Sequence, residues 1–342
     1  MPPARPRLAV TLGDCAGVGP ELVLHALVSP DLEAVGQLLV YGNLALLRRV
    51  ADATGLALPE SLAVLPYGGV TGAPLPRDRH ILFDCPFAEA ATLTPGSVQA
   101  ACGARAYAWI CDAVRDIRAG LADALVTAPI HKEALHRAGI GFPGHTEILA
   151  HLTGTPDPCM AFYSPGLIVS LATIHEPLAK VPRLLSVETL LRTIRLTHAA
   201  CLGLGFPAPR LGVLALNPHA GENGLFGHEE LTCIRPAIEK AKAEGIRASG
   251  PLVPDTAFTW LSARPATAPF DAYVAMYHDQ GLIPFKMVAF DTGVNVTLGL
   301  PLIRTSPDHG TAFDLAWQGR ASPTSLFSAV DLAARMARTR GL

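Results

Sequence analysis

The chain is expected to fold as an α/β protein, with a mostly parallel sheet covered by helices. Three observations carry that expectation. Short, β-rich apolar runs recur along the 342 residues. Stretches with helical spacing fill the gaps between them. Polar clusters follow several of the runs, where open α/β sheets bind their ligands.

In order, residues 8–12 read as a strand, followed by a glycine-rich turn and a helix over 20–27. Residues 38–42 form a second strand, and 44–55 a helix that Gly55 ends. A long amphipathic helix spans 97–120, and 124–128 is a buried strand. Residues 167–174, 211–216 and 272–277 are further strands, with helices over 187–204 and 233–244. No internal repeat or low-complexity tract appears.

Half of the residues are hydrophobic and 16% are charged, enough for two compact domains or one large α/β unit. A formal net charge of −2 provides no long-range field to gather nucleic acid or an anionic membrane, so neither partner is expected. The Pro/Arg-rich start, residues 1–7, does not read as a signal peptide, and no apolar run approaches the ~20 residues that span a bilayer. Seven cysteines without a CxxC pair predict reduced, buried thiols in the cytoplasm and argue against a thiolate metal site.

Three histidines share one topological position. His175, His219 and His278 each follow a separate strand-length run. Such an all-nitrogen set with an open position suits Zn²⁺ or another divalent ion used as a Lewis acid. The alternative is that each merely caps its strand and hydrogen-bonds locally.

Candidate anion ligands lie elsewhere. His145-Thr146 sits in a turn entering a helix, where Thr146 can cap and the helix amides can face an anion. Lys286, Asn295 and Arg304 surround the apolar run 296–303 and suit a phosphate or carboxylate, the alternative being solvated charges at strand ends. The glycine turn 13–21 fits neither the dinucleotide fingerprint nor a Walker loop and reads as a structural turn. Residues 308–314, Asp-His-Gly-Thr-Ala-Phe-Asp, form a small-residue loop opening a helix, where backbone can approach a nucleotide.

With these motifs assembled, the chain resembles the 4-hydroxythreonine-4-phosphate dehydrogenase family of pyridoxal phosphate biosynthesis. Thr11-Leu-Gly-Asp14, Thr127-Ala-Pro-Ile130, Phe142-Pro-Gly-His-Thr-Glu147, Asn217-Pro-His-Ala-Gly-Glu222, Pro254-Asp-Thr256, Tyr277-His-Asp-Gln-Gly281 and residues 308–314 carry the resemblance. It implies a fold like isocitrate and isopropylmalate dehydrogenases, with two α/β domains: 1–140 plus 305–342, and 141–304. It also implies an active site in the interdomain cleft at a homodimer interface, where His278 reaches the metal from the second chain.

The implied metal ligands are His175, His219 and His278, holding zinc or alternatively magnesium or cobalt. The implied substrate contacts are His145, Thr146, Lys286, Asn295 and Arg304. NAD or NADP would use His309, Gly310, Thr311, Ala312 and Asp314. Asp255 and Asp279 are candidates for proton transfer or for orienting the histidines, with a helix cap before Phe258 the plainer role for Asp255.

The implied activity is oxidation and decarboxylation of the small phosphorylated substrate 4-phosphooxy-L-threonine to 3-amino-2-oxopropyl phosphate. The alternative is a paralogue acting on D-threonate or D-erythronate 4-phosphate. The chain departs from the family pattern at Cys15, usually Pro; at His131, often Asn; and at Trp317-Gln318, usually Gly-Lys.

Overall fold

The computed structural model describes residues 5–68, 75–263 and 268–340. Among these, the strands in chain order are β1 Arg7–Thr11, β2 Gln37–Gly42, β3 Ala63–Pro66, β4 Ile81–Asp84, β5 Ala124–Thr127 and β6 Cys159–Ser164. They continue as β7 Leu167–Leu171, β8 Arg210–Leu214, β9 Arg247–Leu252, β10 Ala272–Ala275, β11 Val294–Leu298 and β12 Ile303–Pro307. The chain divides into two compact units, residues 1–156 with 300–342, and residues 157–299.

The first unit is a wholly parallel sheet in the order β3-β4-β2-β1-β5-β12. Every residue of β2 and β5 is buried. Helices therefore cover both faces, and such strands read as continuous apolar runs. Helix Ala100–Arg118 contributes the fully buried Trp109 and Ile110, and helix Thr324–Arg340 contributes Leu326 and Val330. The helix after β2, Leu44–Thr54, starts where Asn43 Oδ1 accepts from Leu46 N at 3.0 Å. It stops at Gly55, whose φ of 72° a Cβ would oppose.

The second unit runs β11-β6-β7-β10-β8-β9, with β6 antiparallel to both neighbours and the other pairs parallel. Phe162, Val169, Leu171, Leu214, Tyr273 and Phe285 form its core. Helix Val187–Gly203 is capped by Ser186, whose Oγ accepts from Thr189 N at 3.1 Å.

Several boundaries differ from the sequence reading. The expected helix 233–244 begins as a π-helical turn, Glu230–Ile234, and only then becomes the α-helix Arg235–Ala243. The apolar run 296–303 is divided between β11 and β12, with Gly299 at φ 87° turning the chain between them. Residues 313–319 form turns instead of a helix, because Ala312 (φ 40°) and Trp317 (φ 59°) leave the right-handed region.

Candidate functional site

In the second unit, side chains lace together the ends of three parallel strands. Beyond β7, Thr173 donates through both N (3.2 Å) and Oγ1 (2.8 Å) to Met276 O, just past β10. Gln280 accepts from Met276 N and donates to Ala215 O beyond β8, both at 2.7 Å. On this frame the His175 and His278 rings lie 5.8 Å apart, centre to centre, within one chain. His278 opens helix His278–Ala289, and its Nδ1 donates to Asp279 Oδ1 at 2.7 Å, which leaves Nε2 for a ligand.

His219 sits differently. It belongs to a left-handed turn in which His219, Ala220, Glu222 and Asn223 all have φ between 43° and 56°. Left-handed backbone costs an L-residue about 1–2 kcal/mol, so the surroundings must hold the turn. Glu230, 1% exposed, does so by accepting from Leu216 N, Asn217 N and Asn217 Nδ2 at 2.8, 2.8 and 2.9 Å. Burial raises the pKa of Glu230, but these donors outweigh it, and the carboxyl stays below its usual range.

Imidazole nitrogens suit a borderline divalent ion. Metal–nitrogen bonds of about 2 Å would set two ligating rings about 5 Å apart, close to the His175–His278 spacing. Among the described residues, no three His, Cys, Asp or Glu side chains converge as a metal centre within the chain.

The first unit holds a buried cation. Arg304, on β12, is 3% exposed and donates through Nε and Nη2 to Thr127 Oγ1 on β5, at 3.2 and 2.8 Å. Burial lowers its pKa to about 9, opposed by Glu147, so the guanidinium remains charged at neutral pH. His145 lies close enough for that charge to act on it. Burial first, then Arg304, push its pKa well below the usual histidine value. Its Nε2 is buried without a hydrogen-bond partner, so a neutral imidazole edge stands ready beside a cation. Thr146 is buried near the start of helix His145–Thr153 but does not cap it, because Gly144 occupies the cap position.

The family model described as pyridoxal phosphate biosynthetic protein PdxA matches residues 35–333. The chain belongs to this family. A 4-hydroxythreonine-4-phosphate dehydrogenase of Geobacter metallireducens is 46% identical over 342 residues, 100% of this chain and 98% of its own. A D-threonate 4-phosphate dehydrogenase of Pectobacterium atrosepticum is 41% identical over 330 residues, 96% of this chain and 99% of its own. The crystal structure of a 4-hydroxythreonine-4-phosphate dehydrogenase from Klebsiella pneumoniae superposes with a TM-score of 0.84 at 39% identity, covering 97% and 99% of the two chains.

The departures from the usual PdxA pattern cluster around the loop 308–314. Trp317 has φ 59°, a left-handed backbone conformation that favours glycine. The indole is 7% exposed, donates to Cys15 O at 3.1 Å and lies 5.0 Å beneath the Arg49 guanidinium. His131 stacks on Phe313 at 4.6 Å and 12°. Its Nδ1 also accepts from Ala134 N at 3.4 Å, the start of helix Lys132–Arg137. Gln318 donates to Asp314 O at 2.6 Å, and His309 Nδ1 pairs with Gly310 O at 2.9 Å. In the glycine turn a Cβ on Gly13 would meet Pro129 O at 2.3 Å, and Val18 N donates to Thr311 O at 3.0 Å.

Lys286 lies in the last turn of helix His278–Ala289, its Nζ 5.4 Å from the Phe290 ring. Asn295 lies on β11, half-buried. Asp255 is exposed in a run of turns, 254–259, and the next helix starts at Trp260. Past His278 the same helix and its C-cap residue Phe290 expose an apolar face: Ile283 61%, Met287 80%, Val288 50% and Phe290 73%. Sequence reasoning named neither Thr127 nor Glu230 as a site residue. Thr127 opens a matched motif and was within reach, whereas nothing in the local sequence marks Glu230.

Proposed function

We propose that the chain is a metal-dependent, NAD(P)-linked dehydrogenase that oxidises and decarboxylates 4-phosphooxy-L-threonine to 3-amino-2-oxopropyl phosphate. The observation that carries the reading most directly is the charged, buried Arg304 beside the partnerless His145 Nε2, an arrangement that asks for an anion. Arg304, His145 and Thr146, with Lys286 and Asn295, take the phosphate and carboxylate of the substrate and orient the carbinol.

His175, His219 and His278 are the proposed ligands of a divalent ion, zinc being the best match to imidazole, in a homodimer whose sites draw on both chains. Bound there, the ion would supply Lewis acidity toward the carbinol being oxidised. The loop with His309, Gly310, Thr311, Ala312 and Asp314 is the proposed seat of a nicotinamide cofactor, which when bound would supply the hydride acceptor. Asp279 orients His278 through Nδ1, and the Asp255 carboxylate takes the carbinol proton. The carboxylate of the resulting β-keto acid then departs as CO₂, leaving the bonding pair as an enolate that takes up a proton at carbon.

The exposed face at Ile283, Met287 and Phe290 supports the homodimer, since an isolated chain would leave it in water. Seven free cysteines, six of them buried, support a cytoplasmic location, and no described helix is long and apolar enough to cross a membrane.

The relatives named for D-threonate 4-phosphate supply the second reading, since a hydroxyl can stand where the amine would. NADH or NADPH formation, with NAD and with NADP supplied separately to Zn²⁺-loaded protein, on 4-phosphooxy-L-threonine, D-threonate 4-phosphate and D-erythronate 4-phosphate decides between them. Selective turnover of the first is expected. Turnover of only a sugar-acid phosphate would reassign the substrate, and silence with all three would overturn the dehydrogenase reading.

A further inference from the structure

The turn that carries His219 is gripped by a buried carboxylate to which the proposed chemistry gives no part. Glu230 opens the π-helical turn Glu230–Ile234 and is 1% exposed. Such turns are rare and concentrate at functional sites. Glu230 Oε1 accepts from the backbone N–H of Leu216 and of Asn217, and Oε2 from Asn217 Nδ2. The same Asn217 Nδ2 also donates to Glu229 Oε2 at 2.7 Å. All these bonds fall on the two residues that lead from β8 into the left-handed turn.

The fit leaves no slack. A Cβ on Gly221 would stand 2.6 Å from Glu230 Oε2, and one on Gly227 only 2.4 Å from Asn217 Nδ2. Two glycines are therefore needed for the turn to close around the Asn217–Glu230 pair. A histidine at φ 52° sits in backbone that is costly for an L-residue, so what clamps the entry to the turn helps to set its direction.

We infer that Glu230 is a positioning residue for His219: by holding the amides of Leu216 and Asn217 it fixes the direction in which the His219 imidazole is presented. The inference rests on the proposed reading of His219 as a metal ligand. Groups that orient a ligating histidine typically contribute about 10–100-fold in metal affinity. A purely structural role would lower the unfolding temperature and leave the ion affinity of each folded molecule unchanged.

The test uses the full-length chain and Zn²⁺ in competition with a chromophoric chelator, with unfolding temperature measured alongside. Glu230→Gln keeps the size and one acceptor oxygen but sets an amide N–H₂ against Asn217 Nδ2. Glu230→Asp keeps the charge but withdraws it from the Leu216 and Asn217 amides, and it carries the test should the first variant not fold. Both are expected to bind Zn²⁺ about 10–100-fold more weakly than wild type, and His219→Ala at least as weakly. Wild-type affinity in the Glu230 variants, with His219→Ala impaired, would overturn the positioning role alone. Wild-type affinity in His219→Ala would overturn the ligand reading beneath it.

Discussion

Replacing Asp14 by Asn should stabilise the protein at neutral pH, and the gain should vanish in acid. Asp14 follows β1 in the glycine turn and is 0% exposed. Its Oδ1 accepts from Ala16 N at 2.9 Å, while Oδ2 is buried without a partner. Burial raises its pKa from 3.8 to about 6, and the Ala16 amide only partly opposes this. Between those two values the folded state holds a proton that the unfolded chain has released, so stability falls as pH rises through the window. Above it the penalty is constant. At about 1.4 kcal/mol per pH unit, the rise amounts to about 3 kcal/mol.

Asparagine retains the Oδ1 acceptor and is neutral at every pH, so it behaves as the protonated acid does, including the one unpartnered polar atom. Urea unfolding of wild type and Asp14→Asn, followed by tryptophan fluorescence at several pH values from about 4 to 8, reads the difference directly. The variant should be about 3 kcal/mol more stable at the alkaline end, with the curves converging toward the acid end. A difference independent of pH, or a variant less stable near pH 8, would refute the reasoning, because the ionised carboxylate would then have a compensating partner.

Two further outcomes are expected. Arg304→Ala should raise KM for the phosphorylated substrate about 10–100-fold by removing a charged donor from a buried site; an unchanged KM would take Arg304 out of the anion site. Met287→Glu together with Phe290→Glu should convert the protein to monomers in sedimentation velocity, since both side chains are more than 70% exposed on the apolar face. A persistent dimer would show that this face is not the contact.

Much of the fold was legible because fully buried parallel strands leave long apolar signatures. The runs 8–12, 38–42 and 124–128 correspond to β1, β2 and β5 within a residue or so at each end. The short β3 Ala63–Pro66 escaped because its alternating, half-exposed pattern in four residues resembles a loop. β6 was hidden by its antiparallel setting, outside the strand–helix alternation that the reading followed. At the site, spacing alone grouped the three histidines, because a strand end is a position that sequence can show. It could not show that His219 occupies a left-handed turn, since those φ values arise from the grip of Glu230, eleven residues downstream. The sequence offered Arg304 as an anion ligand but left a solvated charge at a strand end as the alternative. Only the pairing of β12 with β5 brings it onto Thr127 and out of water.

The interrupted first unit has a consequence for synthesis. Its sheet begins with β1–β5, yet the strand that covers the β5 edge lies in the last part of the chain, after residues 157–299 have been made. At roughly 5–20 residues per second, that edge waits on the order of ten seconds or longer on the ribosome. During this interval β5, apolar and buried on both faces in the finished fold, offers unpaired amides and carbonyls to any passing strand. The contiguous second unit can finish first. Newborn chains should therefore be most prone to aggregate, and most dependent on chaperones, while their length lies between the end of β5 and the start of β12.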